Sequence, residues 1–379
     1  MQQQKQNIAI IVSSPMTAKV FLSHQLKALA SEYDVTLVAN VDGEDMQSWL
    51  PNSVAVVDVS ICRSIRPWKD LKAFFELYRL FKTSQFALVH SVSPKAGLLT
   101  MLASRFAKVP NRIHTFTGQV WATKKGFFRW MLRAMDRVTA NCATTVLVDS
   151  FTQRDFLVVN TVVSEAKSMV LCNGSISGVD CERFKPSKKT RKDIRVDLGT
   201  SEETVAMIFV GRLKKEKGVT DLVSAFTLAK QSFSNMELWL VGPDEEHIEQ
   251  TLGNKEGVQY ISYTDTPESY MAAADVLCLP SYREGFGSVV IEAAACGIPS
   301  IGSDIYGLQD AIIEGETGLL VEKQSIQTLT NSMVILAENK TLRLQMGDKA
   351  IQRATTDFSQ DRLTASVLDL YRSLMASCS

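Results

Sequence analysis

Short apolar segments alternate with helical segments along this sequence, and that alternation limits the fold more than any other feature. The first apolar segment reads NIAIIV over 7–12, is rich in β-branched residues and runs into the polar loop Ser13-Ser14-Pro15. Strands that are apolar on both faces and joined through helices form parallel sheets covered on both sides. The predicted strands are 7–12, 34–39, 54–59, 86–91, 112–116, 144–148, 168–172, 204–210, 237–241, 258–262, 275–279 and 300–301.

The strands form two series, and 379 residues suit two domains better than one core. A polar stretch containing FKPSKKTRKD separates them and has the composition of a linker. We therefore expect an α/β protein with two Rossmann-like, doubly wound parallel-sheet domains facing a cleft, and a helical C-terminal tail. The predicted ranges are 1–180 for the N-terminal domain, 181–203 for the linker, 204–360 for the C-terminal domain, and 361–379 for a C-terminal helix expected to pack back on the N-terminal domain.

Composition indicates an ordinary soluble protein, with 45% apolar and 22% charged residues. The seven cysteines show no CxxC and no Cys/His ligand spacing, which is typical of reduced cytosolic thiols. No apolar run reaches the length of a membrane span, and the polar start MQQQKQN does not resemble a signal peptide. The expected location is the cytoplasm.

Charge is unevenly distributed although its sum is zero. Residues 1–180 hold 20 Lys and Arg against 13 Asp and Glu, a net charge of +7, and the remainder holds 21 against 28, a net charge of −7. A basic first half suits an anionic surface or acceptor. The alternative is that the charges only solvate two domains.

A basic loop follows the first strand of the second series, from Gly211 to Gly218. Gly211 allows a close backbone turn, Arg212 can bind a phosphate bidentately, and Lys217 adds a mobile cation. Beside a helix start these groups suit a diphosphate. The alternative is an exposed basic loop in solvent.

Two glutamates, Glu284 and Glu292, lie eight residues apart in PSYREGFGSVVIEAAACGIPS, after an apolar strand. The first falls in the loop beyond the strand, and the second lies about one turn into the following helix. Ligands of open α/β sheets bind beyond the carboxyl ends of the strands. The carboxylates are therefore predicted to accept hydrogen bonds from sugar hydroxyls.

His114 lies at the end of a predicted strand, in RIHTFTG. A single histidine is more often structural than functional, but this one precedes a loop rich in threonine and closed by glycine. Functional and structural interpretations both stay open.

Several classes of site are disfavoured. The sequence contains neither GxGxxG after the first strand nor GxxxxGK[ST], which argues against a dehydrogenase or a P-loop kinase. No DxD motif ends a strand, and no cofactor-binding motif is found. No basic-aromatic recognition module points to nucleic acid.

Taken in order, these motifs resemble the retaining glycosyltransferases of family 4. The resemblance rests on Gly211-Arg212 with Lys217, on Glu284-Gly285-Phe286-Gly287 with Glu292, on Gly297-Ile298-Pro299, and on the segment GETGLLV. It is strong over the second domain and looser over the first. It implies the twin-Rossmann GT-B fold, with a nucleotide-sugar donor in the C-terminal domain and an acceptor in the N-terminal domain.

The resemblance also implies roles for particular residues. Arg212 and Lys217 would hold the donor diphosphate, as catalytic and binding groups, without a metal. Glu284, with the backbone from Gly285 through Phe286 to Gly287, would bind the transferred sugar. Glu292 would accept from the ribose, and His114 would contact the sugar and support the transition state.

The first domain departs from the family pattern. Many relatives carry Gly-Gly after the first strand, where this chain has Ser13-Ser14-Pro15-Met16-Thr17. Thr17, Thr117 and Gly118 are therefore candidate contacts to the acceptor or to phosphate.

The segment WATKKGFFRWMLR, 121–133, interleaves cations with Phe and Trp at a helix start. This pattern suits peripheral contact with the inner face of the plasma membrane. The alternative is a core helix with snorkelling Lys and Arg. HTFTGQVWATKKG also resembles a subgroup that builds bacterial surface polysaccharides such as O-antigen and capsule on a polyprenyl-diphosphate carrier.

The sequence thus predicts a retaining, metal-independent transferase. It would move a hexose or N-acetylhexosamine from a nucleotide diphosphate sugar, preferably a UDP-sugar, to a polyprenyl-diphosphate-linked glycan. Two alternatives stay open. One is a nucleotide-sugar epimerase or hydrolase on the same fold, and the other is a non-catalytic nucleotide-sugar-binding scaffold.

Overall fold

The structure is a computed structural model that describes residues 5–376 except 42, 44, 47 and 63. The chain forms two compact units. The first unit consists of the chain up to Ser177 together with the chain from Gln360 onward. The second unit is Gly178–Ser359. The first unit is therefore built from both ends of the chain.

The first unit contains strands β1 (Asn7–Ile11), β2 (Asp34–Ala39), β3 (Ala55–Asp58), β4 (Leu88–Val92), β5 (Asn111–Phe116), β6 (Thr145–Val148) and β7 (Ser168–Met169). Its helices are α1 (Pro15–Phe21), α2 (Ser23–Glu32), α3 (Pro67–Thr83), α4 (Pro94–Ala107), α5 (Gly126–Cys142), α6 (Phe151–Val159) and α15 (Gln360–Ala376), with 3₁₀ turns at Val120–Thr123 and Glu165–Lys167. In the described part of the chain the strands form one parallel sheet in the order β3-β2-β1-β4-β5-β6-β7. This is the expected doubly wound arrangement.

Strand β1 shows why both faces of this sheet had to be apolar. Ile8 and Ile10 pack into one buried cluster, whereas Ala9 and Ile11 pack into another. Successive side chains of a strand point to opposite faces. Helices α3, α4 and α5 contribute to the cluster on one face, and α2 and α15 contribute to the other.

The C-terminal helix α15 packs within the first unit. The hydroxyl of Tyr371 lies 2.7 Å from Nδ1 of His90 on β4, and both side chains are buried. Nε of Arg372 donates to Glu32 of α2 at 2.9 Å. The last part of the predicted helix, 377–379, lies outside the described residues.

The second unit contains strands β8 (Val205–Val210), β9 (Met236–Val241), β10 (Val258–Ile261), β11 (Val276–Leu279), β12 (Ser300–Ser303) and β13 (Gly318–Val321). Its helices are α7 (Lys188–Leu198), α8 (Val219–Ser232), α9 (Ile248–Leu252), α10 (Pro267–Ala273), α11 (Ser288–Ala295), α12 (Leu308–Ala311), α13 (Ile326–Glu338) and α14 (Lys340–Asp357), with a 3₁₀ turn at Lys215–Lys217. Over the described residues these strands form a parallel sheet in the order β10-β9-β8-β11-β12-β13. The edge strand β13 was not among the predicted strands.

The predicted linker, 181–203, differs from what the structure shows. Nearly half of it is helix α7, which begins where the Ser187 hydroxyl accepts from the amide of Thr190. Arg195 of this helix is only 1% exposed and donates to Asp275 at 2.6 Å. It also donates to the carbonyls of Ala273, Ser201 and Thr204 at 2.9, 2.6 and 3.0 Å. Because these partners lie in the second unit, the segment is part of that unit.

No helix among the described residues is long and apolar enough to cross a membrane.

Replacement of Arg195 is expected to destabilise the second unit. Arg195→Ala would remove one hydrogen bond from each of three carbonyls and from the Asp275 carboxylate, so we expect a loss of about 3 kcal/mol in the free energy of unfolding. Denaturant titration measures this loss. Lys192→Ala, at an exposed position on the same helix, is the matched control and should stay within about 0.5 kcal/mol. Equal stability of the two variants would contradict the anchoring role.

Candidate functional site

Two loops of the second unit lie side by side because the strands before them are neighbours. Strands β8 and β11 pair in parallel, with Met207 opposite Val276 and Ile208 opposite Leu277. The basic loop (211–218) follows β8, and the glutamate loop (280–287) follows β11. Both therefore leave the same carboxyl edge, where ligands of open α/β sheets bind.

An ion pair joins the predicted diphosphate-binding lysine to the predicted sugar-binding glutamate. Nζ of Lys217 lies 2.6 Å from Oε1 of Glu284, and both side chains are mostly buried. The structure therefore brings together two residues that are 67 positions apart in sequence. One edge of the sheet thus holds a cation directly beside a carboxylate.

Arg212 lies in the same loop, and its side chain is 44% exposed. Its Nη1 is 3.6 Å from Oε2 of Glu245, and Lys214 pairs with the same carboxylate. At this distance and exposure the Arg212–Glu245 pair is weak. The guanidinium can therefore turn to an anionic ligand at small cost.

The glutamate loop is held in place by Phe286. This side chain is buried in the core of the second unit, with its ring 5.2 Å from that of Phe358. Gly287 follows with φ +83° and caps helix α11, a conformation that favours glycine. Gly287 thus turns the backbone at the helix start while Phe286 anchors it.

Glu292 lies on α11, beyond the glutamate loop. Burial raises the pKa of Glu292 to about 7; Arg183 opposes this rise and Glu268 adds to it. Arg183 is itself paired with Glu268 at 2.8 Å. The carboxyl group of Glu292 therefore changes its charge near neutral pH. It can accept a hydrogen bond in either state, and only its protonated form can also donate one.

His114, predicted to contact the sugar, is fully buried in the first unit, and its Nε2 has no hydrogen-bond partner among the described residues. Its exposure is 0%, Nδ1 lies 2.9 Å from the Ser91 hydroxyl, and its ring centroid is 4.5 Å from that of Phe116. The imidazole fills space left by Gly97 on α4, where a Cβ would clash with it. Burial, reinforced by His90, lowers the pKa of His114 to about 3, so the ring is neutral. This geometry favours the structural interpretation, and we leave His114 out of the proposed site.

Thr117 and Gly118 directly follow β5 at the carboxyl edge of the first sheet. Thr117 is half-buried, and so is Thr17 on α1, after the loop that follows β1. Because β1 and β5 are parallel strands of one sheet, both threonines lie at the same edge. The predicted acceptor contacts thus share an edge of the first unit.

Sequence reasoning missed Glu245 and Asp149. Glu245 is the counter-ion of Arg212, and its only sequence signal is its position after β9. Asp149 follows β6 and lines a cavity of about 20 Å³ in the first unit, room for one water molecule. Burial raises the pKa of Asp149 to about 8. In the sequence, Asp149 could have been noticed as an acidic residue directly after the apolar segment TVLV.

The described residues contain no group of three or more His, Cys, Asp and Glu side chains that could hold a metal ion.

Two family models match most of the chain. The model described as "Glycosyl transferase 4-like domain" matches residues 17–174, and that described as "Glycosyl transferases group 1" matches residues 190–353. The chain belongs to the group 1 glycosyltransferases. This glycosyltransferase is 28% identical to the capsular polysaccharide biosynthesis glycosyltransferase CapM of Staphylococcus aureus, over 90% of each chain.

A second relative comes from Escherichia coli. It is the UDP-Gal:alpha-D-GlcNAc-diphosphoundecaprenol alpha-1,3-galactosyltransferase, with 25% identity over 90% of this chain and 89% of the relative. Among solved structures, Anabaena HepE in complex with UDP and glucose has a TM-score of 0.79 and 19% identity, covering 97% of this chain and 99% of that one. At that identity the likeness speaks to the fold, and the expected GT-B fold is confirmed.

A substitution of His114 should separate a structural from a catalytic role. His114→Ala removes a buried hydrogen bond and leaves a cavity, so we expect a loss of about 2–4 kcal/mol in unfolding free energy. The donor KM and kcat of the folded fraction should stay within about twofold of the parent, since no substrate contact is lost. A fall in kcat of a hundredfold or more at unchanged stability would instead return His114 to the active site.

Proposed function

We propose that this glycosyltransferase moves a hexose or N-acetylhexosamine from a UDP-sugar to a polyprenyl-diphosphate-linked glycan in surface polysaccharide synthesis. The observation that carries the proposal is the contact between Lys217 and Glu284, since a nucleotide sugar needs a phosphate-binding cation and a hydroxyl acceptor side by side. The names of the two relatives support the rest. One acts in capsule synthesis, and the other is named for UDP-Gal and a diphosphoundecaprenol-linked acceptor.

In the proposed reaction Arg212 and Lys217 hold the donor diphosphate. The bond between the anomeric carbon and the diphosphate oxygen breaks, and negative charge grows on the leaving group. Fixed cations stabilise this charge most where water is excluded, and Lys217 is mostly buried. We propose that they suffice without a metal ion.

Glu284 would accept a hydrogen bond from a hydroxyl of the transferred sugar, and Glu292 from the ribose. The acceptor oxygen would attack the face from which the diphosphate leaves, and a leaving phosphate oxygen would take its proton, so that configuration is retained. Thr17, Thr117 and Gly118 are the proposed acceptor-side contacts on the first unit.

The first unit also carries a surface suited to anionic lipid. At the start of α5 the side chains of Phe127, Phe128 and Trp130 are 68, 65 and 62% exposed, whereas the buried residues of this helix lie in its second half. The core-helix alternative therefore fails for the first turns. Helix α3, which covers the same face of the first sheet, adds Trp68, 85% exposed, with Leu71 and Phe75. Cations interleave with these side chains: Lys69, Lys72, Arg79, Lys124, Lys125, Arg129 and Arg133. We propose peripheral contact with an anionic membrane through this surface.

Two substitutions test the donor site. Lys217→Ala and Glu284→Gln should lower kcat by about a hundredfold or more, because each removes a contact to a reacting part of the donor. Lys215→Ala, an exposed lysine of the same loop, is the control and should keep near-parent turnover. Donors are compared in a binding panel of UDP-galactose, UDP-glucose, UDP-N-acetylglucosamine, UDP-N-acetylgalactosamine and GDP-mannose, with transfer measured with and without EDTA. Near-parent turnover of both site variants would refute the assignment, and preference for GDP-mannose would refute the nucleotide.

Vesicle binding tests the membrane surface. The parent should sediment with phosphatidylglycerol vesicles and much less with phosphatidylcholine vesicles. Phe127→Ser with Trp130→Ser should weaken binding by about tenfold or more, since two apolar anchors are lost. Val159→Ser, at an exposed valine ending α6, is the control. Unchanged sedimentation of the double variant would contradict the proposal.

A further inference from the structure

The basic loop and the glutamate loop are joined by a second ion pair next to the first. Nη2 of Arg283 lies 3.3 Å from Oε2 of Glu216, one residue before the Lys217–Glu284 pair in both loops. The basic loop supplies the acid, Glu216, to the pair with Arg283 and the base, Lys217, to the pair with Glu284. The two pairs therefore have opposite polarity. A slip of one residue in one direction would place Glu216 against Glu284, and a slip in the other direction would place Lys217 against Arg283. Like charges would then face each other, so the alternation selects one register.

Glu216 is ionised in its position beside Arg283. Burial by itself would raise the pKa of Glu216, but Arg283, Lys217 and Arg212 together lower it. The carboxylate is therefore a lasting counter-charge for Arg283 at neutral pH.

Tyr282 adds two hydrogen bonds between the same loops. Its backbone amide donates to the carbonyl of Glu216 at 2.9 Å. Its hydroxyl donates to Oδ2 of Asp221, in the first turn of α8, at 2.7 Å. Neither bond uses a group that the proposed function assigns to the donor.

Gly218 closes the contact between the loops. It has φ +73°, and a Cβ at this position would clash with the carbonyl oxygen of Pro280. The two backbones therefore touch where the basic loop enters α8, and only glycine fits both the space and the conformation.

The ion pair between Lys217 and Glu284 would no longer be enough to hold the two loops in register once a donor is bound. On the proposed function, the ammonium turns to the diphosphate and the carboxylate to a sugar hydroxyl, so the attraction between them is shared with the ligand. The attachments made by Glu216, Arg283, Tyr282 and Asp221 involve none of these ligand contacts and persist.

We propose that Glu216, Arg283, Tyr282 and Asp221 are positioning residues that hold the diphosphate-binding and sugar-binding loops in register when the donor separates Lys217 from Glu284. This inference rests on the proposed function, because it takes the two loops to bind two parts of one donor. UDP would contact the basic loop through its diphosphate and Glu292 of α11 through its ribose, so its binding should be indifferent to the position of the glutamate loop. A UDP-sugar would also contact Glu284 in that loop and should depend on the register.

The test compares UDP with the UDP-sugar that binds the parent most tightly in the donor panel. Glu216→Gln and Tyr282→Phe each remove one attachment and keep the shape of the side chain. We expect UDP affinity within about twofold of the parent, UDP-sugar affinity and kcat lower by about fivefold in each single variant, and a larger loss in the double variant. Glu202→Gln is the matched control, since Glu202 accepts from Nε of Arg191 at the same 3.3 Å elsewhere in the second unit.

The ratio of the two affinities separates positioning from a merely structural role. Equal weakening of UDP and UDP-sugar, or no weakening of either, would overturn the positioning role. A parent protein that binds no nucleotide sugar in the panel would instead overturn the proposed function itself.

Discussion

The parallel pairing of β8 with β11 is the interaction on which the candidate site depends. It sets the two loops at one edge of the sheet, and the strands are buried, so their separation is fixed by core packing. The amino ends of the same strands are also joined, because Asp275 accepts from the amide of Ala206 at 2.8 Å and from Arg195. Charged groups thus pin both ends of a strand pair whose middle is apolar. The distance between the two loops of the site is therefore set by the sheet rather than by the loops themselves.

Much of the fold could be predicted because each level of the sequence points the same way. Apolar strands such as 7–12 must be covered on both faces, and only helices between parallel strands supply that cover. The pattern does not predict the edge strand β13 because GLLV is short and begins with a glycine directly after a turn that contains Gly315. The segment 181–203 was assigned to a linker because polarity was taken to mean exposure. The structure shows instead that Arg195 of this segment is buried, with its three side-chain nitrogens donating to carbonyls and a carboxylate.

The candidate site was predictable in part for a similar reason. Glu284 and Lys217 follow neighbouring strands, and loops after parallel strands share an edge whatever their sequences. For His114, the end of a strand was identified, but the side chain's surroundings were not. Its space is created by the missing Cβ of Gly97, seventeen positions earlier and on another element. A sequence pattern does not show this space, because a glycine within a helix usually indicates only a lower helix propensity.

The return of α15 to the first unit has a consequence for how the chain is made. The first sheet is synthesised before the second, yet the hydrogen bond from Tyr371 to His90 and the apolar side chains of α15 come from the end of the chain. Domains generally fold as they emerge from the ribosome, N-terminal first. Here the first unit leaves part of its apolar face uncovered until the second unit has been translated in full. Of the two units, the one whose synthesis begins first is therefore completed last.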